Sequence, residues 1–279
     1  MTVMRFRQAI VAALADEMRK DPTVMVFGED VAHAEGPFKT SEGLLTEFGQ
    51  LRVRDTPISE MAFTGAAVGA AIMGMKPVIE IMFMEFLGVA LDQLVTEAAK
   101  MRYLSNGTLS VPMVVRASCG SGLGFGSQHS QTLENWVAAT PGLKVIHLSD
   151  PQSAYSLLRA AIQDPDPVMV LEPRNLYGER GEVDTSITMK IGKARTIRSG
   201  NAITIVSLGQ MVNVCKAAIE VSGIDAELID LATIVPWDRD AVLESVKKTG
   251  RLVVVEEAPE SGGWGSEIVA AVTAELFKS

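Results

Sequence analysis

Short apolar runs alternate with longer amphipathic stretches along almost the whole chain, and this restricts the fold to helices packed on mostly parallel sheet. Residues 7–19 place Ile10, Val11, Leu14 and Met18 at helical spacing. A strand follows at 24–27 and ends in Gly28-Glu29-Asp30, then a loop and short helix at 36–49. Residues 77–81 form the next strand. Residues 86–104 carry Leu87, Leu91, Leu94, Val95, Ala98 and Met101 on one face, which predicts a single helix. Residues 111–116 are apolar until Arg116, the pattern of a strand in the middle of a sheet. A strand at 145–148, a helix at 154–163 and a strand at 168–171 complete a first α/β unit. Residues 173–198 lack periodicity. The expected division is a first unit over 1–180, a linker over 181–198 and a second β/α unit over 199–279. The second unit has strands at 202–207, 226–230 and 252–255 and helices at 211–221, 239–248 and 265–277. Its last helix has no strand after it, so this unit reads as incomplete, with an exposed sheet edge.

Bulk properties narrow the function. A length of 279 residues suits two units, and a net charge of -9 with no basic patch argues against nucleic acid. Cys119 and Cys215 form no CxxC pair, the usage of a reducing compartment. His33, His129 and His147 show no metal-ligand spacing. The first 16 residues lack a signal-peptide layout. Lys76, Glu80, Glu85 and Asp92 interrupt the longest apolar stretches before any could span a membrane. The expectation is a soluble cytoplasmic protein.

One carboxylate stands out. In Asp55-Thr56-Pro57-Ile58-Ser59-Glu60-Met61-Ala62-Phe63-Thr64-Gly65, Glu60 sits among apolar neighbours at the start of a helix rich in Gly and Ala. Burial there raises a carboxyl pKa unless a partner compensates, and such a group can share a proton with a bound ring nitrogen. The plainer reading is a carboxylate capping its own helix. Further on, Gly120-Ser121-Gly122-Leu123-Gly124-Phe125-Gly126 is no dinucleotide fingerprint, since Phe125 and Ser127 stand where GxGxxG needs glycine, and no Walker motif occurs. This loop lets backbone approach a ligand closely, and His129 after it can act as acid or base, or be a surface histidine. His147, on an apolar strand, reads as core.

Several ordered stretches carry a family resemblance. Besides the Glu60 segment they are Gly28-Glu29-Asp30-Val31, Glu80-Ile81-Met82-Phe83-Met84-Glu85-Phe86, Ala98-Ala99-Lys100-Met101-Arg102-Tyr103, Val111-Pro112, Gln128-His129-Ser130-Gln131, Pro141-Gly142-Leu143-Lys144-Val145, Leu176-Tyr177-Gly178 and Glu257-Ala258-Pro259. The chain resembles the β subunits of thiamine-diphosphate-dependent 2-oxoacid dehydrogenase E1 components. The resemblance implies a transketolase-like pyrimidine-binding domain followed by a transketolase C-terminal-like domain that looks truncated. It implies that Glu60 binds N1′ of the aminopyrimidine and favours its imino tautomer. Ile58 and Met82 would line the ring pocket. Phe86 would pack on the ring, or be a core aromatic, or both. His129 would handle protons or anionic groups on the substrate side. Glu29 would join a carboxylate path between paired sites, or be a solvated strand-end acid. A structural K+ would use Ala161, Asp164, Asp166 and Met113, or residues 161–167 are a plain Asp-Pro turn. No Gly-Asp-Gly occurs, so a separate E1 α subunit would hold Mg2+ and the diphosphate, giving an α2β2 heterotetramer with the cofactor at its interface.

The Met82–Phe86 version leans toward acetoin dehydrogenase, with pyruvate and branched-chain members close; the substrate is thus a 2-oxo acid or acetoin. Ala232 and Trp237 stand where Arg and Leu are usual, which bears on docking of a lipoyl-bearing E2. Two alternatives stay open: a transketolase-like or acyloin-forming carboligase subunit without E2, and a non-catalytic assembly subunit.

Overall fold

The computed structural model describes residues 1–121 and 124–277; Gly122 and Leu123 of the glycine-rich loop, with Lys278 and Ser279, lie outside the described residues. The strands are β1 (Thr2–Arg5), β2 (Val24–Gly28), β3 (Val53–Asp55), β4 (Lys76–Ile81), β5 (Val114–Cys119), β6 (Lys144–His147), β7 (Val168–Pro173), β8 (Arg180–Val183), β9 (Arg195–Arg198), β10 (Ile203–Ser207), β11 (Ala226–Asp230), β12 (Thr233–Val235) and β13 (Leu252–Val255). The helices are α1 (Phe6–Lys20), α2 (Leu44–Phe48), α3 (Glu60–Ile72), α4 (Leu87–Leu91), α5 (Met101–Leu104), α6 (Glu134–Ala138), α7 (Pro151–Gln163), α8 (Met211–Ser222), α9 (Arg239–Thr249) and α10 (Gly265–Leu276).

A seven-stranded sheet runs β12-β6-β7-β5-β4-β2-β3, parallel throughout except for β12. Alternate residues of its strands face opposite layers, as the two-residue period requires. Val24, Val26, Val78, Val114 and Val170 meet Phe6, Ile10 and Leu14 of α1 and Leu157 and Leu158 of α7. Ile79, Ile81, Val115 and Met169 meet Phe63, Ala67, Leu87 and Leu94 on the other face. That second cluster continues without a break into Val206 and Ile229 of a four-stranded sheet, β13-β10-β11-β9. A small antiparallel pair, β1 with β8, closes the first unit.

Four details differ from the sequence-based expectation. Residues 86–104 are not one helix: α4 passes into a π-helical segment, Asp92–Ala98, and the chain re-forms as α5. The Ala99 N–H reaches the Leu94 carbonyl, a wider turn that the spacing of apolar side chains does not reveal. The strand expected at 111–116 begins only at Val114, because Pro112 has no N–H and Met113 donates locally to Val111. The expected linker contains β8 and β9, and β9 pairs antiparallel with β11. Finally, β12 leaves the second unit and joins the first sheet beside β6, after a turn at Ala232 with φ 57°. Among the described residues no helix is long and apolar enough to cross a membrane.

The centre of the large sheet holds a charge. Arg116 on β5 is fully buried; it donates to Glu80 on β4 at 2.8 Å and to both oxygens of Glu172 on β7 at 2.7 and 3.0 Å. Tyr177 and Thr40 each add a hydroxyl, to Glu172 and Glu80 respectively, at 2.9 Å. Burial opposes the guanidinium charge, but Glu172 and Glu80 outweigh it and hold Arg116 above its ordinary pKa. Removing one member of such a group strands the others unpaired. Arg116→Met should therefore lower unfolding stability by about 3–5 kcal/mol, whereas Arg116→Lys, which keeps the charge, should cost less. Urea titrations of both variants measure the difference.

Candidate active site

The residues singled out by sequence collect beyond the carboxyl ends of β2, β3, β4 and β5, where parallel sheets bind ligands. β2 ends at Gly28, pressed so close to β4 that an added Cβ would lie 2.5 Å from the Glu80 carbonyl oxygen. Glu29 follows immediately and is buried, which removes the reading of a solvated acid. The Thr56 N–H donates to the Gly28 carbonyl at 2.9 Å, so the chain leaving β3 is tied to the end of β2 and carries Glu60 to the start of α3. Asp55 tightens the same corner. It accepts from the Ala32 N–H at 2.7 Å and from His33 Nδ1 at 2.6 Å. Burial works to raise its pKa, but His33 and these N–H groups outweigh burial and hold it below the ordinary value.

Glu60 is buried and receives no hydrogen bond from any described residue. It does not cap its own helix: the first turn closes through the Ser59 carbonyl, which accepts from Ala62 and Phe63. Glu29 also has an oxygen, Oε1, that is buried without a partner among the described residues. Burial first, then the charges of Glu60 and Asp30, push the Glu29 carboxyl up to about 7. The Glu60 carboxylate thus lies close enough for its charge to be felt at Glu29.

A second group gathers around His129. Its imidazole meets the rings of Phe83 at 4.6 Å and Phe86 at 5.3 Å, edge-on in both cases. Met82 is half-buried at the end of β4, and its carbonyl accepts from the Ser118 hydroxyl. Arg174, just past β7, donates to the His129 carbonyl at 2.5 Å and to the Gly120 carbonyl. Its guanidinium also lies 5.2 Å from the Phe83 ring centroid and 5.7 Å from that of Phe125. Phe86 and His129 are therefore brought together, as are Glu29 and Glu60. No hydrogen bond, ion pair or ring contact among the described residues joins the two pairs directly. Ile58 stands apart, 85% exposed. His147 is buried in the core as expected, 3.5 Å from the Cys119 sulfur.

Arg174 and Phe83 were missed as functional positions. The signal was present for Arg174, a cation directly after an apolar strand, but it fell in a stretch without periodicity. The residues expected to hold K+ lie at the opposite end of the strands, just before β5 and β7. The Met113 carbonyl accepts from Val168 N–H, and the Ala161 carbonyl from Asp164 N–H. The Asp164 carboxylate is gripped by Lys144 at 2.6 and 2.8 Å, and Asp166 by Arg102 at 2.5 Å. These carboxylates already have cationic partners. Among the described residues no three His, Cys, Asp or Glu side chains cluster to hold a metal ion.

Both units match known families. Residues 2–180 match the family described as transketolase, pyrimidine binding domain, and residues 192–279 match transketolase, C-terminal domain. The chain is 44% identical over 283 residues to the pyruvate dehydrogenase E1 component subunit beta-2, mitochondrial, of Oryza sativa subsp. japonica, covering 99% of this chain and 75% of that protein. It is 45% identical over 282 residues to the pyruvate dehydrogenase E1 component subunit beta of Rhizobium meliloti, covering 99% and 61%. With the 2-oxoisovalerate dehydrogenase subunit beta of Bacillus subtilis it shares 41% over 278 residues, covering 98% and 85%. A split-gene transketolase, solved as an inactive beta4 tetramer, aligns with a TM-score of 0.81 at 23% identity over 98% of this chain and 86% of that one, a likeness of fold alone. The two matched domains and these relatives, spanning nearly the whole chain, make it a member of the family of 2-oxoacid dehydrogenase E1 β subunits.

Proposed function

We propose that this chain contributes half of a thiamine diphosphate site in a heteromeric E1 that decarboxylates a 2-oxo acid, or cleaves acetoin, and passes the acyl group to a lipoyl-bearing E2. The observation that carries the reading is the buried Glu60 carboxylate, which receives no hydrogen bond within the described chain and stands beside a second carboxyl pushed up to about 7. An acceptor left unpartnered on so buried a residue favours a donor that arrives from outside. A protonated ring nitrogen is such a donor, so the residues present fit the aminopyrimidine.

When bound, thiamine diphosphate supplies the electron sink for the bond that breaks as carbon dioxide leaves. The chain's own residues do the rest of what is proposed here. Glu60 accepts a hydrogen bond from the ring and governs its proton. Glu29, able to hold a proton near neutral pH, stands within reach of the Glu60 charge. Phe86 offers an apolar ring surface, and Ile58 and Met82 close the pocket once a partner covers them. His129, backed by Phe83, faces the substrate side as acid or base. With no Gly-Asp-Gly in the sequence, Mg2+ and the diphosphate fall to an E1 α subunit in an α2β2 assembly. A potassium ion near Met113 and residues 161–166 would draw on main-chain oxygens, each with a spare lone pair, because Asp164 and Asp166 are committed to Lys144 and Arg102. Exchange of K+ for Na+ should then lower the Tm of the assembled complex; an unchanged Tm argues for the plain turn.

The reading is tested by co-expressing the chain with its α partner and titrating thiamine diphosphate with Mg2+ calorimetrically. Glu60→Gln should leave assembly intact and reduce turnover roughly 10²–10⁴-fold, the usual worth of a positioned proton-transfer group. Full activity in that variant would make the chain an assembly subunit. Acyl transfer to an aldehyde but never to lipoamide would instead assign it to a carboligase.

Glu29 gives a pH signature. Its folded-state carboxyl keeps a proton up to about 7, whereas the ordinary value is 4.5, so the folded state binds the extra proton between these limits. The associated stability is complete below about 4.5 and is lost as pH rises through about 7. Glu29→Gln, always neutral, should flatten the decline of Tm across that window. An identical pH profile in the variant would rule out a raised Glu29.

A further inference from the structure

Glu257 leaves the end of β13 in the second unit, yet it grips the loop that carries His129. Its Oε1 accepts from the Ser121 backbone N–H at 2.8 Å and from the Ser121 hydroxyl. Its Oε2 accepts from the Gln210 side-chain amide, and its carbonyl oxygen accepts from the Thr132 hydroxyl. Gln210 is in turn held by the Asn175 amide at 2.5 Å. Ser121 and Thr132 stand at the two ends of the glycine-rich loop, which the Gly120 N–H closes onto the Gln131 carbonyl at 3.2 Å. One residue of the second unit therefore ties down both ends of a loop belonging to the first.

Such a tie has work to do. Gly120, Gly124 and Gly126 have φ values of 109°, 66° and 81°, so this backbone has much conformational freedom to lose and few side chains to anchor it. From the first unit, Arg174 fixes the Gly120 and His129 carbonyls, and Glu85 accepts from the Gln131 N–H at 2.6 Å, but neither reaches Ser121. Glu257 supplies a charged acceptor for the N–H and hydroxyl that Arg174, purely a donor, cannot satisfy.

We propose that Glu257 is a positioning residue: through Ser121 and Thr132 the second unit sets where the His129 imidazole stands against Phe83 and Phe86, and so shapes the substrate side of the site. The consequence for turnover rests on the function proposed above; the consequence for His129 does not. With three histidines in the chain, isotopically labelled histidine NMR on the assembled complex resolves the point. Edge-on packing against two rings displaces the His129 resonance, and Glu257→Ala should move it toward the free-imidazole position while His33 stays put as the control. In the same variant kcat/KM for the 2-oxo acid should fall roughly 10- to 100-fold, as for a misplaced reacting group. Glu257→Gln brings an amide donor to the Gln210 donor, a conflict relieved only if the Gln210 and Asn175 amides turn over. Adding Gln210→Glu restores a donor–acceptor pair of reversed polarity, and should recover both the resonance and the rate.

A His129 resonance unmoved in Glu257→Ala overturns the proposal whatever the activity. A displaced resonance with wild-type kcat and KM in an active complex overturns the positioning role as well. A wild-type complex without thiamine-diphosphate-dependent turnover refutes the assigned function, and the resonance alone then decides on Glu257.

Discussion

Arg116 is the constraint on which the rest of the structure depends. A guanidinium cannot sit in the middle of an apolar sheet unless carboxylates meet it, and here they come from the two strands that flank β5. The pairing fixes the register of β4, β5 and β7 more sharply than hydrophobic packing does, because a shift of one residue would point Glu80 or Glu172 to the wrong face. It also fixes where these strands end. Met82, Gly120 and Arg174 all lie within a few residues of the network, so the loops that build the candidate site start from a rigid base. Thr40 and Tyr177 extend the same hydrogen bonds to the chain after β2 and after β7.

The α/β class was legible because the signal is redundant. Strands such as β2 and β7 are mostly apolar on both faces, α1 shows a buried stripe and α7 is buried almost all round, so each element points independently to a parallel sheet between helices. What escaped the sequence was short or context-bound. Strands β1, β3, β8, β9 and β12 have three or four residues each and little periodicity to display. The π-helical turn escaped for another reason: Leu91, Leu94 and Ala98 keep an apolar face whether a turn holds 3.6 residues or more.

The site was legible to a different degree. Glu60 announced itself as a lone carboxylate in an apolar, glycine-rich setting, and Phe86 and His129, 43 residues apart in sequence, meet in space. Arg174 and Glu257 could not be weighed in the same way. Their importance lies in which backbone carbonyls and N–H groups they reach, and that depends on how two remote loops fold over one another. The Asp164 and Asp166 carboxylates illustrate the converse: oxygen-rich in sequence, they are already paired by Lys144 and Arg102 in space.

The strand β12 links the two units in a way that their sequence order conceals. It lies between β11 and α9 along the chain but forms the edge of the first sheet, and the Gly192 N–H is bound to its Thr233 hydroxyl. A cut between the units would thus leave the large sheet without its border and the small sheet without a continuous core. The pair cannot swing apart as beads on a string. Whatever access a substrate gains must come from loop movement or from a neighbouring subunit, because the scaffold itself is braced like a box with its lid nailed from the far side.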